Sequence, residues 1–80
     1  MYYVYLLQSQ DSPRQRYVGS TSNLRQRYAE HNEGKSAHTA RYRPWALVTY
    51  VGFNDKERAL QFERYLKVGS GHAFARRHLW

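Results

Sequence analysis

A chain of 80 residues is the size of one small domain, and we expect residues 1–80 to form a single unit with a small core. The lack of cysteine excludes disulfides and thiolate metal sites and is compatible with a cytoplasmic protein, and no apolar run is long enough to span a membrane. The formal net charge is +7, and ten of the 13 cationic residues are arginine. Because guanidinium binds phosphate through a bidentate fork, this balance predicts a polyanionic partner, first of all nucleic acid.

The N-terminal part of the chain is predicted to form a β-hairpin. Residues 2–7 are aromatic and aliphatic throughout, which is typical of a strand, and both faces are apolar, as expected of a central strand. A turn-rich connection over residues 8–15 leads to a second short strand at 16–20. Tyr17 and Gly19 share one face of that strand, where the glycine leaves room beside the backbone.

An amphipathic helix follows this hairpin. Residues 21–23 supply N-cap candidates, the helix is predicted to run to Glu33, and Gly34 is a natural C-terminal cap. The stripe with spacing i, i+3, i+4 and i+7, which should face the core, consists of Leu24, Arg27, Tyr28 and His31. Two cationic side chains on an inward stripe are costly unless something there needs them.

The second half of the chain is predicted to hold one more strand and two helices. Residues 35–43 read as a loop or a short surface helix that ends at Pro44, and residues 45–53 as a nearly continuous apolar strand that we expect to be covered. Asn54 is the predicted N-cap of the next helix, Gly69-Ser70-Gly71 is expected to stop it, and a short helical tail follows. The fold class is therefore α+β, with a three-stranded, mainly antiparallel sheet flanked by helices in the order β-β-α-β-α-α.

The helix predicted after Asn54 also carries an ionisable side chain on the stripe that should be apolar, because Glu63 lies there between Phe62 and Leu66. One interpretation is a buried salt bridge between Glu63 and Arg27. The other is a cleft for phosphodiester hydrolysis, in which a carboxylate holds a divalent cation, an arginine neutralises phosphoryl oxygens, and a phenol or imidazole handles the proton of water. Of the six acids only Glu63 lies on a core-facing stripe, which favours a one-metal site.

The motifs Tyr3-Val4-Tyr5, Tyr17-Val18-Gly19 and Asn23-Leu24-x-x-Arg27-x-x-x-His31, followed by a Glu on a later helix, resemble the GIY-YIG nuclease family. The resemblance covers essentially the whole chain and is strongest with the small, single-domain bacterial members. The first motif departs from the family name, since Tyr3 and Val4 stand where Gly and Ile are written.

The resemblance implies a role for each matching residue in a DNA endonuclease that depends on Mg²⁺ or Mn²⁺. Tyr5 and Tyr17 would line the active site, with Tyr17 as a general base or the residue that orients one. Arg27 would contact the scissile phosphate, His31 would match the family histidine on the same helix, and Glu63 would bind the metal. Each tyrosine has a simpler alternative, which is packing in the core.

Further cationic side chains are candidate contacts to the DNA backbone, and the alternative for them is plain solvation. They are Arg25, His38, Arg41, Arg43, Arg76 and Arg77. Two other function classes remain open at this point: a nucleic-acid-binding module without catalysis, and an accessory subunit whose site or specificity is completed by a protein partner or a second copy. Eighty residues leave little surface for reading a base sequence, so structure-guided or weakly sequence-specific DNA binding is expected.

Overall fold

Three strands and three α-helices make up the computed structural model, which describes all residues from Met1 to Trp80. The strands are β1 (Tyr2–Ser9), β2 (Arg16–Thr21) and β3 (Trp45–Phe53). The helices are α1 (Leu24–Glu33), α2 (Lys56–Lys67) and α3 (Gly69–His78), and a short 3-10 helix lies at Ala40–Tyr42. This order confirms the predicted α+β class and the β-β-α-β-α-α sequence of elements.

The central position of β1 is also confirmed, since the strand order in the sheet is β2-β1-β3. Both pairings are antiparallel, with Tyr5 opposite Gly19 on one side and opposite Tyr50 on the other. The register of β1 against β3 shifts between Leu6 and Leu7. The tight pairing of β1 with β2 fixes which side chains meet at the β2 edge, where the candidate site lies.

Alternation along β1 divides the core into two layers, one on each side of the sheet. The α1 face carries a cluster around Tyr5, Leu7 and Trp45, against which side chains of α1 pack. The α2 face carries a cluster around Val4 and Leu6, which includes Ala59 of α2 and Ala75 of α3. Helices α2 and α3 therefore share one face, and α1 has the other face to itself.

The expectation that residues 45–53 form a covered strand is wrong. Strand β3 lies at the edge of the sheet, with Val48 36% and Tyr50 55% exposed. The 10 residues of α1 extend only about 15 Å, because an α-helix rises about 1.5 Å per residue. One short helix leaves part of its sheet face open beside β3.

The helix ends match the sequence expectations in α1 and differ in α2. Asn23 caps α1 by accepting a hydrogen bond from the backbone N–H of Gln26, and Gly34 ends it in the left-handed conformation at φ 81°. Asp55, not Asn54, caps α2, because its side chain accepts from the backbone N–H of Glu57. The break between α2 and α3 falls at Val68, whose backbone is extended.

The predicted stop signal Gly69-Ser70-Gly71 is part of α3 instead of a loop. Gly71 is buried, and a Cβ there would collide with the backbone carbonyl of Tyr65. The absence of a side chain at Gly71 therefore permits close packing of α3 on the end of α2. None of the three α-helices has both the length and the apolar character needed to cross a membrane.

Candidate active site

The centre of the candidate site is a histidine with no exposed surface. His31 of α1 is completely buried, and both of its ring nitrogens meet hydroxyl groups. Nε2 lies 2.8 Å from the Tyr5 hydroxyl, and Nδ1 lies 2.6 Å from the Thr39 hydroxyl. One nitrogen donates and the other accepts, which a neutral imidazole does in either tautomer. The helix stripe predicted to face the core therefore does so, and the histidine on it is fully hydrogen-bonded.

Burial shifts the proton equilibria of this pair in opposite directions. Burial, followed by the positive charge of Arg27, lowers the pKa of His31. Burial, followed by the neighbouring Tyr17, raises the pKa of Tyr5 to about 12, although Arg27 opposes the change. Because both shifts favour the neutral forms, the contact between Tyr5 and His31 is a hydrogen bond between uncharged groups at neutral pH.

Tyr17 and Gly19 of β2 lie beside Tyr5 and His31, and these four residues form one wall of the site. The Tyr17 ring lies 5.0 Å from the His31 ring and 6.2 Å from the Tyr5 ring, measured between centroids. A Cβ at Gly19 would lie 2.6 Å from the Tyr5 hydroxyl oxygen and 2.8 Å from the Tyr17 ring. Only glycine fits between the two tyrosines, so the residue provides room and not flexibility.

Arg27 stands at the rim of the same wall. Its Nη1 donates to Glu30 Oε1 at 3.0 Å, and about a third of its side chain (32%) is exposed. This hydrogen bond raises the pKa of Arg27, with smaller contributions from Tyr5 and Tyr17. The interpretation that Arg27 forms a buried salt bridge with Glu63 is wrong, because the acid that pairs with Arg27 is one helical turn away in α1.

Glu63 approaches from the other side of the sheet. Its Oε1 accepts a hydrogen bond from the Ser20 hydroxyl at 2.6 Å, and its Oε2 accepts from Lys67 Nζ at 2.7 Å. Burial acts to raise the pKa of Glu63, but the hydrogen bonds from Lys67 and Ser20 outweigh it and lower that pKa. Ser20 pairs with Val4 in the sheet, which places this contact on the α2 face, next to edge strand β2.

A cleft of about 310 Å³ lies along the β2 edge. Tyr17 lines it from β2, and Lys67, the partner of Glu63, lines it from α2. Its other walls add cationic and aromatic side chains, namely Arg16, His72 and Trp80. The charge of Glu63 also contributes to the raised pKa of Tyr5. Tyr5, Tyr17, Arg27 and His31 thus form one cluster, and Glu63 faces it across the β2 edge.

A single carboxylate is what the chain offers to a metal ion. No group of three or more His, Asp or Glu side chains converges anywhere in the structure. The Glu63 side chain is 18% exposed, and its Oε2 already accepts a hydrogen bond from the cationic Lys67. Mg²⁺ is commonly held by one or two carboxylates together with waters and substrate phosphates, so this donor set fits it. Binding would require Lys67 to give up its place at Oε2.

The six outer cations are all exposed, but they do not form one surface. Arg25 lies on α1, whereas Arg76 and Arg77 lie on α3, which packs on the opposite face of the sheet. His38, Arg41 and Arg43 surround the 3-10 helix, where Arg43 Nε donates to the Ala40 carbonyl at 2.8 Å. Their predicted role as DNA contacts stays a prediction.

Three residues of the site were not singled out from the sequence. Lys67 follows Glu63 at the i+4 position, a spacing at which helical side chains meet, so it could have been found. Thr39 lies in an irregular segment and Ser20 on an edge strand, and no spacing rule connects them to His31 or Glu63. Only the folded chain reveals these two partners.

Comparisons with known proteins place the chain in a family. The model of the GIY-YIG catalytic domain matches residues 1–73. The structure-specific endonuclease subunit SLX1 of Candida dubliniensis is 39% identical over 98% of this chain, and a UPF0213 protein of Streptococcus pyogenes is 41% identical over 81% of it. The solution NMR structure of a UPF0213 protein from Bacillus halodurans aligns with a TM-score of 0.55 and 33% identity, over 95% of this chain and 81% of that one.

The lengths of these relatives differ. The chain spans 18% to 28% of the length of the SLX1 relatives that it matches, and 70% of the streptococcal protein. The similarity to SLX1 therefore concerns one region of larger proteins. The family resemblance read from the motifs is confirmed, and so is the fold that it implied.

Proposed function

Because the chain belongs to the GIY-YIG catalytic domain family, we propose that it is an endonuclease that hydrolyses phosphodiester bonds of DNA. The observation that carries the proposal is the cluster of Tyr5, Tyr17, Arg27 and His31 at the β2 edge, with Glu63 on the other side of that edge. A net charge of +7 favours a polyanionic substrate.

In this proposal the side chains of the α1 face bind and orient the phosphate and the attacking water. Arg27 neutralises charge on the phosphoryl oxygens, where a fixed guanidinium stabilises the transition state more than the ground state. Tyr17 lines the cleft and orients the water through its hydroxyl. His31 has no surface to offer water, so it is a positioning residue that holds the Tyr5 hydroxyl.

Glu63 would hold a single Mg²⁺ or Mn²⁺ ion, with waters and the substrate phosphate as the remaining ligands. When bound, such an ion lowers the pKa of a coordinated water and offsets charge on the phosphate. The support for this assignment is chemical: one largely buried carboxylate stands beside the cluster, and its partner Lys67 lies in a partly exposed ion pair that can exchange.

The printed name of the SLX1 relatives describes subunits of structure-specific endonucleases. We extend that description to this chain in two respects. The first is that the chain prefers DNA with a branch or an unpaired end over a plain duplex. Recognition of DNA shape suits an 80-residue domain, because so small a domain has little surface for reading a base sequence. A protein partner or a second copy of the chain then contributes to substrate choice, since those relatives are named as subunits.

The decisive experiment is a cleavage assay on branched and linear DNA with Mg²⁺ or Mn²⁺. Glu63→Gln keeps the volume of the side chain but removes its charge, and Glu57→Gln makes the same change at an exposed position of the same helix. We expect cleavage by the wild type and by Glu57→Gln, and none by Glu63→Gln or after addition of EDTA. Equal cleavage by wild type and Glu63→Gln would overturn the metal assignment.

The same assay separates the two other function classes. Salt-sensitive binding of DNA that EDTA does not alter, with no cleavage of any substrate, would identify a binding module without catalysis. Cleavage that appears only after a copurifying protein is added back would identify an accessory subunit.

A further inference from the structure

A second pocket, which the proposed chemistry does not use, opens on the α1 face. It has a volume of about 500 Å³ and lies between the start of α1 and strands β1 and β3. Three tyrosines line it: Tyr3 of β1, Tyr28 of α1 and Tyr50 of β3. The Tyr50 side chain is the most exposed of them at 55%, and its ring meets Tyr3 edge to face with centroids 6.0 Å apart.

The pocket combines an aromatic lining with a single positive charge. Arg25 is its one ionisable cation, and no acidic residue lines it. Ser22 and Asn23 add polar atoms at the rim, and Leu24 and Leu47 close the apolar side. The Tyr28 hydroxyl already has a partner within the protein, because it donates a hydrogen bond to the carbonyl of Trp45 at 2.7 Å. Tyr50 offers a ligand an exposed ring face, and Arg25 offers it a guanidinium.

A flat aromatic ring with a phosphate attached matches both groups. We propose that this pocket binds one unpaired nucleotide of the DNA substrate, with the base stacked on Tyr50 and a phosphate held by Arg25. The inference rests on the proposed function and specifies its substrate class. Tyrosine stacks with any base, because every base has a π-face, and arginine pairs with phosphate through its fork. A base inside a duplex is covered on both faces by its neighbours, so only an unpaired base can enter.

The position of the pocket ties the unpaired nucleotide to the cleavage site. Tyr3 and Tyr5 lie on the same face of β1, two residues apart, which corresponds to about 7 Å along a strand. Leu24 and Tyr28, which line the pocket, also pack against the cluster that contains Tyr5. A strand with one base in the pocket would therefore have a neighbouring phosphate near the catalytic cluster, so an unpaired nucleotide would adjoin the bond to be cut.

Binding measurements without cleavage test this inference separately from the proposed catalysis. Fluorescence anisotropy in EDTA would compare a duplex carrying a single-stranded flap with a blunt duplex of the same sequence. Tyr50→Ala removes the stacking ring, Tyr50→Phe keeps it, and Tyr65→Ala removes a tyrosine of similar exposure (42%) on α2. We expect Tyr50→Ala to weaken flap binding by between about 5-fold and about 100-fold and to leave blunt-duplex binding unchanged. Tyr50→Phe and Tyr65→Ala should bind both probes like the wild type.

A flap with abasic sites provides the second arm of the test. If one base stacks on Tyr50, removing the bases should weaken wild-type binding and have little further effect on Tyr50→Ala. Equal losses on flap and blunt duplex, or an unchanged affinity of Tyr50→Ala for the flap, would overturn the inference. Circular dichroism of each variant establishes that it is folded. Failure of cleavage would instead count against the proposed function, since none of these measurements depends on it.

Discussion

The two sides of the β2 edge differ in how firmly their functional groups are held. On the α1 face, His31 is enclosed and both of its ring nitrogens are hydrogen-bonded, so the position of Tyr5 is set when the chain folds. On the α2 face, Glu63 is held by Ser20 and by Lys67, whose side chain is 47% exposed. One side is a preorganised wall, and the other is a carboxylate with an exchangeable partner. In the proposed mechanism the phosphate side of the site would be formed when the chain folds, and the carboxylate on the cation side would exchange Lys67 for the ion.

The largest expected effect concerns catalysis at the rim of the wall. Arg27→Ala should lower the cleavage rate by about 100- to 1000-fold, because it removes the fixed charge that faces the phosphate. The free energy of unfolding should change by less than about 1 kcal/mol, since the only ion pair lost is the partly exposed one with Glu30. Single-turnover cleavage and urea denaturation measure the two quantities.

Arg58→Ala is the matched control for this substitution, because it breaks another pair at i, i+3 spacing, the one with Asp55. It should leave cleavage at the wild-type rate. If Arg27→Ala cleaves as fast as Arg58→Ala, Arg27 takes no part in the reaction and the wall has only a structural role.

The next effect concerns stability at the centre of the wall. His31→Ala should lower the free energy of unfolding by about 2–4 kcal/mol, because it opens a cavity and leaves the hydroxyls of Tyr5 and Thr39 without their shared partner. Urea denaturation measures the loss, and His38→Ala, at an exposed position, should change it little. A loss no larger than that of His38→Ala would mean that the enclosed network contributes nothing to the fold.

A pH dependence of stability follows from the same residue. The pKa of His31 is lowered from its ordinary value of 6.5, so the unfolded chain takes up a proton there at a higher pH than the folded chain. The free energy of unfolding should therefore fall as the pH drops from 7 through 6.5 towards 5.5, with a slope of at most about 1.4 kcal/mol per pH unit. His31→Gln should lose this part of the slope. A wild-type stability that is constant over this range would contradict the neutral, enclosed histidine.

The smallest effect concerns the exchangeable partner of Glu63. Lys67→Met removes the cation that occupies Oε2 and should strengthen Mn²⁺ binding by up to about fivefold, in keeping with the weak coupling of exposed ion pairs. An electron paramagnetic resonance titration of Mn²⁺ without DNA measures the affinity directly. Lys35→Met, which breaks the exposed pair with Glu33, is the control. Weaker binding by Lys67→Met would mean that the lysine supports the metal site instead of competing for it.

Periodicity predicted the residues of the site better than it predicted their partners. The stripe of α1 placed His31 and Arg27 inward, and the stripe of α2 did the same for Glu63, because helical spacing fixes one face of each helix. It cannot show which side of the sheet a helix covers. The suggested bridge between Arg27 and Glu63 failed for this reason, since α1 and α2 lie on opposite faces.

The error in β3 has a different origin. A nearly continuous apolar run of nine residues is compatible with a covered strand, but whether a strand is covered depends on the number and length of the helices on each face of the sheet. Here α1 is alone on its face and too short to reach all of β3, so Tyr50 remains open to solvent. The exposed tyrosine is the part of the molecule that sequence patterns described least well, and it is also the part that specifies the proposed substrate.

The crowding at Gly19, where no side chain fits, also favours one register of the β1–β2 hairpin. An edge strand can slide by two residues against its neighbour and still present the same side chains to each face. Such a slip in β2 would bring Tyr17 or Thr21 opposite Tyr5, where not even a Cβ fits. The crowding around Tyr5 therefore opposes the misaligned hairpins, so that correct strand pairing and the formation of this cluster depend on the same small residue.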